Sequence, residues 1–420
     1  MRKRGYMKVL MFGWEFPPFF SGGLGVACEG LTTGLSKLNV DITFVIPQGP
    51  ENLHSDKVKL LVANNLPNYK IHVKKINSLL LPYNSEESYQ KHYEKIKKTT
   101  TTGKLYGSTL YQEVARFTEI AKLLVFTDDF DIIHCHDWMT FPAGVAAKKL
   151  SGIPLILHVH ATEFDRTAGQ GANPYVFQIE KESLEYADKI IAVSNYTKQK
   201  IIENYNIPAD KIAVVHNAVA PMPEAENKIK SYDKIVLFYG RLTIQKGPDY
   251  FIEAAKRVLD FDPNVKFIVA GTGDMESRLI NRAAELGIGS KVLFTGFISK
   301  DSPEGRSIYQ MADVYVFPSV SEPFGIMPLE ALQFSTPVII SKQSGVSEIL
   351  RNALKVDFWD IDELSNLIIS VLNYKALHNE LKHHGSLEVK TINWDAPAKK
   401  CLDVYNRLLN SRHLRPIVVR

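Results

Sequence analysis

SVSEPFGIMPLEAL, residues 319–332, follows the apolar run VYVFP (314–318) and reads as a strand, a loop and then a helix. Gly325 allows a tight turn. The helix expected to start there presents its N-terminal amides outward, where their partial positive charge favours phosphate, so Phe324, Gly325 and Ile326 are candidate donor contacts. Glu330 is expected about two turns inside that helix. Two carboxylates, Glu322 and Glu330, would repel a diphosphate, so hydroxyl groups are the partners they suit. The plain alternative is a capped helix carrying two surface acids.

Outward from this stretch, short apolar runs alternate with amphipathic segments along the whole chain. One series of strands is expected at Lys8–Phe12, Val40–Ile46, Ile132–His134, Leu155–His160 and Ile190–Val193, and a second at Ile235–Tyr239, Lys266–Ala270, Lys291–Thr295, Val314–Phe317 and Pro337–Ile340. Helix patterns such as Tyr250–Leu259 and Met275–Leu286 lie between them. Alternating strand and helix predicts an α/β protein with parallel sheets covered on both faces. The proline-bearing, charged stretch AVAPMPEAENKIKSYD (218–233) separates the two series. The expected organisation is an N-terminal doubly wound domain (1–217), a second one (218–391) and a closing segment (392–420). Ligands in such sheets sit at the carboxyl ends of the strands, so two facing domains make a cleft. Residues 84–104, rich in Lys, Tyr, Ser and Thr, read either as a solvated helix face or as an exposed insertion.

Four further stretches carry chemistry. In GRLTIQKGPDYFIEAA (240–255), Arg241 and Lys246 follow a strand and precede a helix. Breaking a sugar–diphosphate bond builds negative charge on the leaving phosphate, and fixed cations in a water-poor cleft stabilise it. The chain offers no acidic cluster of the kind that holds a catalytic metal, since Asp128 and Asp129 are adjacent in an acidic turn; no metal and no cofactor are expected. In WEFPPFFSGGLG (14–25), Gly22 and Gly23 would let backbone approach a ligand closely. HCHDWMT (134–140) and HVHATEFDR (158–166) end predicted strands, so His160 and Asp137 are candidates to contact sugar hydroxyls and Asp165 with Arg166 to face an acceptor. His134, His136 and His158 alternate with apolar or small residues and read as core or supporting histidines. The spacing lacks the helical His pair or Cys-x2-Cys of a zinc site.

Composition bounds the rest. The chain has 420 residues, 45% hydrophobic and 23% charged, which suits two or three globular domains. Fifty basic residues nearly balance 46 acidic ones, unlike the basic face of a nucleic-acid binder. Three scattered cysteines give no disulfide framework, in keeping with a reducing cytoplasm. In MRKRGYMKVLMFGW (1–14) the apolar run that follows the basic head is short and broken by Gly13 and Glu15, and no run approaches the ~20 residues of a membrane span. A peripheral membrane contact stays open.

The ordered set of the glycine loop, His160, the Arg241/Lys246 pair and Glu322-x7-Glu330 resembles glycosyltransferase family 4, the glycosyl transferases group 1 of GT-B fold, over nearly the whole chain. It is more loosely similar to bacterial and archaeal glycogen synthases. The resemblance implies two Rossmann-like domains around a donor cleft, with INWDAPAKKCLDVYNRLL (392–409) as a last helix crossing back to the first domain. It implies that Arg241 and Lys246 hold the diphosphate, Glu330 the ribose, and Glu322 and His160 the transferred sugar. Amides after Phe324 and near Gly23 would complete the phosphate site, and Asp137 matches an active-site aspartate of glycogen synthases. Transfer would proceed with retention, by a front-face reaction without a carboxylate nucleophile. UDP-glucose or ADP-glucose is the expected type of donor, and an α-glucan or other glycan the acceptor. A glycosyltransferase acting on a lipid-linked or cell-surface glycan, and a degenerate nucleotide-sugar-binding protein, are the alternatives. Phe20 stands where glycogen synthases carry a loop lysine, which weakens the narrower glycogen-synthase reading. A dinucleotide-dependent oxidoreductase is disfavoured, because Gly271-Thr-Gly273 is only a fragment of the required fingerprint.

Overall fold

The computed structural model describes residues 6–16, 22–46, 61–62, 71–75, 85–99, 109–169, 171–223 and 233–413. The first sheet has eight strands: β1 (Met7–Phe12), β2 (Val40–Ile46), β3 (Leu61–Val62), β4 (Ile71–Lys75), β5 (Ile132–His136), β6 (Leu155–Val159), β7 (Lys189–Ala192) and β8 (Ile212–Val214). Their spatial order is β3-β4-β2-β1-β5-β6-β7-β8, with every pairing parallel except β3 with β4. The second sheet holds β9 (Ile235–Tyr239), β10 (Lys266–Ala270), β11 (Val292–Gly296), β12 (Val314–Phe317), β13 (Val338–Ser341) and β14 (Leu354–Val356). It runs β11-β10-β9-β12-β13-β14, parallel throughout. This is the expected GT-B architecture.

The central strands are buried on both faces, as parallel strands covered by helices must be: Val9 to Phe12, Ile235 to Tyr239 and Val314 to Phe317 are all 5% exposed or less. Strand order reverses between β1 and β5 in the first sheet and between β9 and β12 in the second. Loops leaving neighbouring strands part there and open a crevice. The five loops that the sequence marks as chemical leave the strands at these two reversal points or, for His160, the adjoining β6.

Between Val214 and Ile235 the chain passes from one sheet to the other; residues 224–232 of the predicted linker lie outside the described residues. The last helix, Asp395–His413, packs on helix Gly23–Lys37 of the first domain, as the closing segment predicts. Close approach of the two explains two glycines. A Cβ on Gly30 would lie 2.1 Å from the Trp394 ring, and one on Gly34 2.6 Å from the Ala398 Cβ. Of the two readings for 84–104, the helix is the one found, at Glu86–Thr99, with Tyr89 fully buried; residues 100–104 lie outside the described residues, as does Phe20. Cys28, Cys135 and Cys401 are buried and free. No helix among the described residues is long and apolar enough to cross a membrane.

Candidate functional site

A cavity of about 860 Å³ lies between the domains. It is lined from one side by Trp14, Gly22, Gly23, Asp137 and His160, and from the other by Arg241, Lys246, Glu322, Phe324, Gly325, Ile326 and Glu330. Every residue selected from the sequence as catalytic or donor-binding therefore faces one space.

On the second domain, the loop after β9 ends in a short 3₁₀ turn, Ile244–Lys246, closed by Gly247 at φ +64°. A Cβ on Gly247 would stand 2.2 Å from the Pro318 carbonyl oxygen, so a glycine lets this loop lie against the one leaving β12. That contact brings the Lys246 ammonium onto the Glu322 carboxylate, with side chains only 14% and 9% exposed. Glu330 is likewise paired: Lys300 Nζ donates to Oε1 at 2.5 Å and the Tyr309 hydroxyl to Oε2 at 3.2 Å. Each of the two acids thus carries its own cation, which removes the expected repulsion toward a diphosphate. The helix after Gly325 differs from expectation. It begins at Met327, has seven residues, and carries Glu330 in its first turn rather than two turns in. Pro328, near the start, suits a helix origin delayed past Gly325. Gly325 itself sits at φ +95°, with Phe317 Cε1 2.8 Å from where a Cβ would be, so only glycine fits that corner.

On the first domain, β5 puts His134 and His136 on one face and Cys135 on the other, as strand alternation requires; β6 adds His158, and His160 just beyond it. The rings form a ladder. Tyr405 OH and His134 Nδ1 are 2.5 Å apart, His134 Nε2 and His158 Nδ1 3.3 Å, and His136 Nδ1 and His160 Nε2 3.0 Å. Burial holds all four histidines below the usual imidazole range, His136 down to about 3, so the ladder is neutral. Asp137, at φ +60°, spends Oδ1 on the amides of His160 (2.7 Å) and Ala161 (3.2 Å). It shapes the His160 loop as well as lining the cleft. Burial raises its pKa to about 7, against the pull of Arg166 and the two amides.

The expected acceptor-facing pair separates. Asp165 is fully buried, accepting from Thr162 and Ser321 and paired with Lys200 at 2.8 Å, and it does not line the cleft. It closes a capping box at a helix start. Arg166 does line the cleft, donating to Glu163 (2.9 Å), to the Ala161 carbonyl (3.0 Å) and to Glu180. At the glycine loop, Gly22 caps helix Gly23–Lys37, but the amide of Gly25 already donates to the buried Glu15 carboxylate at 2.8 Å. The sequence reading passed over Glu15, Lys300 and Tyr309. Glu15 was quoted only as a break in an apolar run. Lys300 lies 30 residues from its partner, a distance no local pattern bridges.

The domains are fastened beside the cleft. The Glu348 carboxylate accepts from the amides of Asn195 (2.9 Å) and Tyr196 (2.7 Å), at the start of helix Asn195–Tyr205, and meets His216 at 2.7 Å. Burial opposes ionisation of Glu348, and these hydrogen bonds outweigh it, leaving the carboxyl below its ordinary range. Among the described residues, two groups could offer metal ligands within 4.8 Å of one another: Cys28, His136 and His160, and His134, His136 and His158. Within them, His134 Nε2 meets His158 Nδ1 and His136 Nδ1 meets His160 Nε2, while His136 Nε2 and His158 Nε2 are buried without a hydrogen-bond partner.

A two-domain α/β protein with cations, paired acids and a histidine facing one crevice fits the class that handles nucleotide-activated sugars. Residues 21–221 match the family described as Glycosyltransferase Family 4, and residues 222–386 that described as glycosyl transferases group 1. An uncharacterized glycosyltransferase of Methanocaldococcus jannaschii is 31% identical over 418 residues, 95% of this chain and 98% of the relative. A glycogen synthase of Mycobacterium tuberculosis is 26% identical over 82% of this chain and 80% of its own. Among solved structures, a sucrose-phosphate synthase from Thermosynechococcus elongatus superposes with a TM-score of 0.75 at 19% identity, covering 96% of this chain and all of that one. The chain belongs to the group 1, family 4 glycosyltransferases.

Proposed function

We propose that the chain is a retaining, metal-independent hexosyltransferase that moves glucose from a nucleoside diphosphate to a glycan hydroxyl, as in α-glucan synthesis. The observation that carries this reading is the convergence, on one cleft between two strand-order reversals, of Arg241 and Lys246 on one side and His160 on the other. Lys246 and Arg241 offset the charge that grows on the leaving diphosphate as the anomeric C–O bond breaks, so no metal is required for that step. Glu330, steadied by Lys300 and Tyr309, accepts from the ribose hydroxyls. Glu322, held by Lys246, and the neutral His160 contact hydroxyls of the sugar. The electron pair of the broken bond leaves with the phosphate. The acceptor oxygen attacks from the same face, and its proton passes to the leaving phosphate oxygen. With Glu322 tied to Lys246, no carboxylate needs to act as nucleophile. The resemblance to a glycogen synthase supports glucose and a glucan, and the three free thiols suit a reducing cytoplasm.

Thermal stabilisation by a panel of UDP-, ADP- and GDP-sugars, with and without EDTA, tests the reading. A shift for one donor class that EDTA leaves unchanged is expected. No shift with any donor well above millimolar concentration would overturn it.

A further inference from the structure

The cavity is lined by residues of both domains. Its phosphate-suited cations, Arg241, Lys246 and Lys300, all belong to the second domain. Past His160 it continues along the first domain, by Glu163, Arg166, Asn173, Tyr111 and Glu86. A second substrate has to approach the anomeric carbon from that end.

Its charge is distinctive. Among the described residues lining this half, Arg166 is the one cation, and its guanidinium is held by Glu163, Glu180 and the Ala161 carbonyl. Glu163, on the cavity wall, and Glu180, buried behind it, therefore share a single positive charge, and Glu86 is a second carboxylate among the lining residues. Glu86 Oε2 is fixed by the Leu110 amide at 3.0 Å and Oε1 by the Gln90 amide group at 2.9 Å. Against the described lining residues a dianionic phosphate would meet Glu163 and Glu86 with Arg166 already engaged, in a partly desolvated space. The polar groups that remain suit hydroxyls. Asn173 Nδ2 donates to the Tyr111 hydroxyl at 3.0 Å, leaving the phenol proton to donate onward. The Tyr111 ring lies 4.0 Å, centroid to centroid, from that of Tyr175, which is 48% exposed. Tyr111, which lines the cavity and is backed by Tyr175, offers an aromatic surface against which the C–H face of a sugar ring can rest.

We propose that this end of the cleft takes an uncharged, hydroxyl-rich acceptor, a neutral saccharide, and turns away phosphorylated ones. The inference rests on the glycosyltransferase reading and adds the chemical class of its acceptor. Specificity of this kind comes from the unfavourable charge as much as from the favourable contacts.

Trp14 and Trp138 both line the cleft, so their fluorescence reports binding without turnover. The full-length protein is titrated at low salt with maltotriose and with maltotriose phosphorylated on its terminal glucose, and with myo-inositol and an inositol monophosphate. The neutral member of each pair should bind at least about tenfold more tightly. Ser85→Lys adds a cation at an exposed lining position and should shift the preference within each pair severalfold toward the phosphorylated member. Equal affinities, preference for the phosphorylated members, or binding of none of the four would overturn the proposal. Because donor binding is measured separately, by thermal shift, failure here is distinct from failure of the transferase reading.

Discussion

Replacing Lys246 with alanine probes the step on which the proposed chemistry depends. Its ammonium sits in the cleft on Glu322, both side chains nine-tenths buried or nearly so. At an effective dielectric near 20, a unit charge about 4 Å from a phosphate oxygen interacts by ~4 kcal/mol. Removing one fixed group that meets developing charge typically costs about 2.7–4 kcal/mol. With Arg241 still present, kcat for Lys246→Ala should fall ~10²–10³-fold. The substitution also strips Glu322 of its counter-charge, which would depress activity for a different reason. The double variant Lys246→Ala/Glu322→Gln separates the two, since it removes the orphaned carboxylate without restoring the cation. Initial rates at saturating donor, on protein shown by circular dichroism to be folded, give the answer. The reasoning is refuted if the single variant keeps kcat within about threefold of the parent, or if the double variant recovers the parental rate.

Three other outcomes follow from the same geometry. Glu330→Ala should weaken donor binding at least about tenfold with a smaller effect on kcat, because it removes a carboxylate oriented by Lys300 and Tyr309; unchanged donor affinity in a thermal-shift titration would sink the ribose assignment. Asp137 has a native pKa of about 7 against 3.8 unfolded, so the folded state binds its proton more tightly, and its contribution to stability fades as pH rises from about 4 to 7. Asp137→Asn keeps an oxygen to accept from the His160 and Ala161 amides, and its melting temperature should gain on the parent's between pH 5 and 7; a difference that is flat with pH contradicts the burial argument. Gly30→Ala should destabilise by about 1–3 kcal/mol, because its Cβ runs into the Trp394 ring. Chemical denaturation showing no loss would mean that the last helix does not pack as described.

Much of this was legible in the sequence, for physical reasons. Fully buried parallel strands are continuous apolar runs, so β2, β9, β10 and β12 have the boundaries that the runs predict, and most others differ by a residue or two. Glu322, Arg241, Lys246 and His160 stood out because each follows such a run, which is where a doubly wound sheet places its ligands. What escaped was whatever depends on distant pairing. β3, β4, β8 and β14 are short or lie toward the sheet edges and carry little apolar signal. The helix after β12 was placed too early, because a glycine marks a turn and not the residue at which the helix begins. Asp165 reads like its neighbour Arg166 in the sequence, yet one closes a cap against Ser321 of the other domain and the other faces the cleft. The pairing of each cleft acid with a lysine, the feature that reconciles two carboxylates with a diphosphate, joins residues 76 and 30 positions apart.

The measurement that bears most directly on the central claim is the anomeric configuration of the first-formed product. Proton NMR would follow transfer from the α-glucosyl nucleotide selected by the thermal-shift panel to a maltotriose acceptor, in the presence of EDTA. An α-linked product appearing at the same rate with and without EDTA is the predicted result. A β-linked first product, transfer abolished by EDTA, or no transfer from a donor that binds would contradict it.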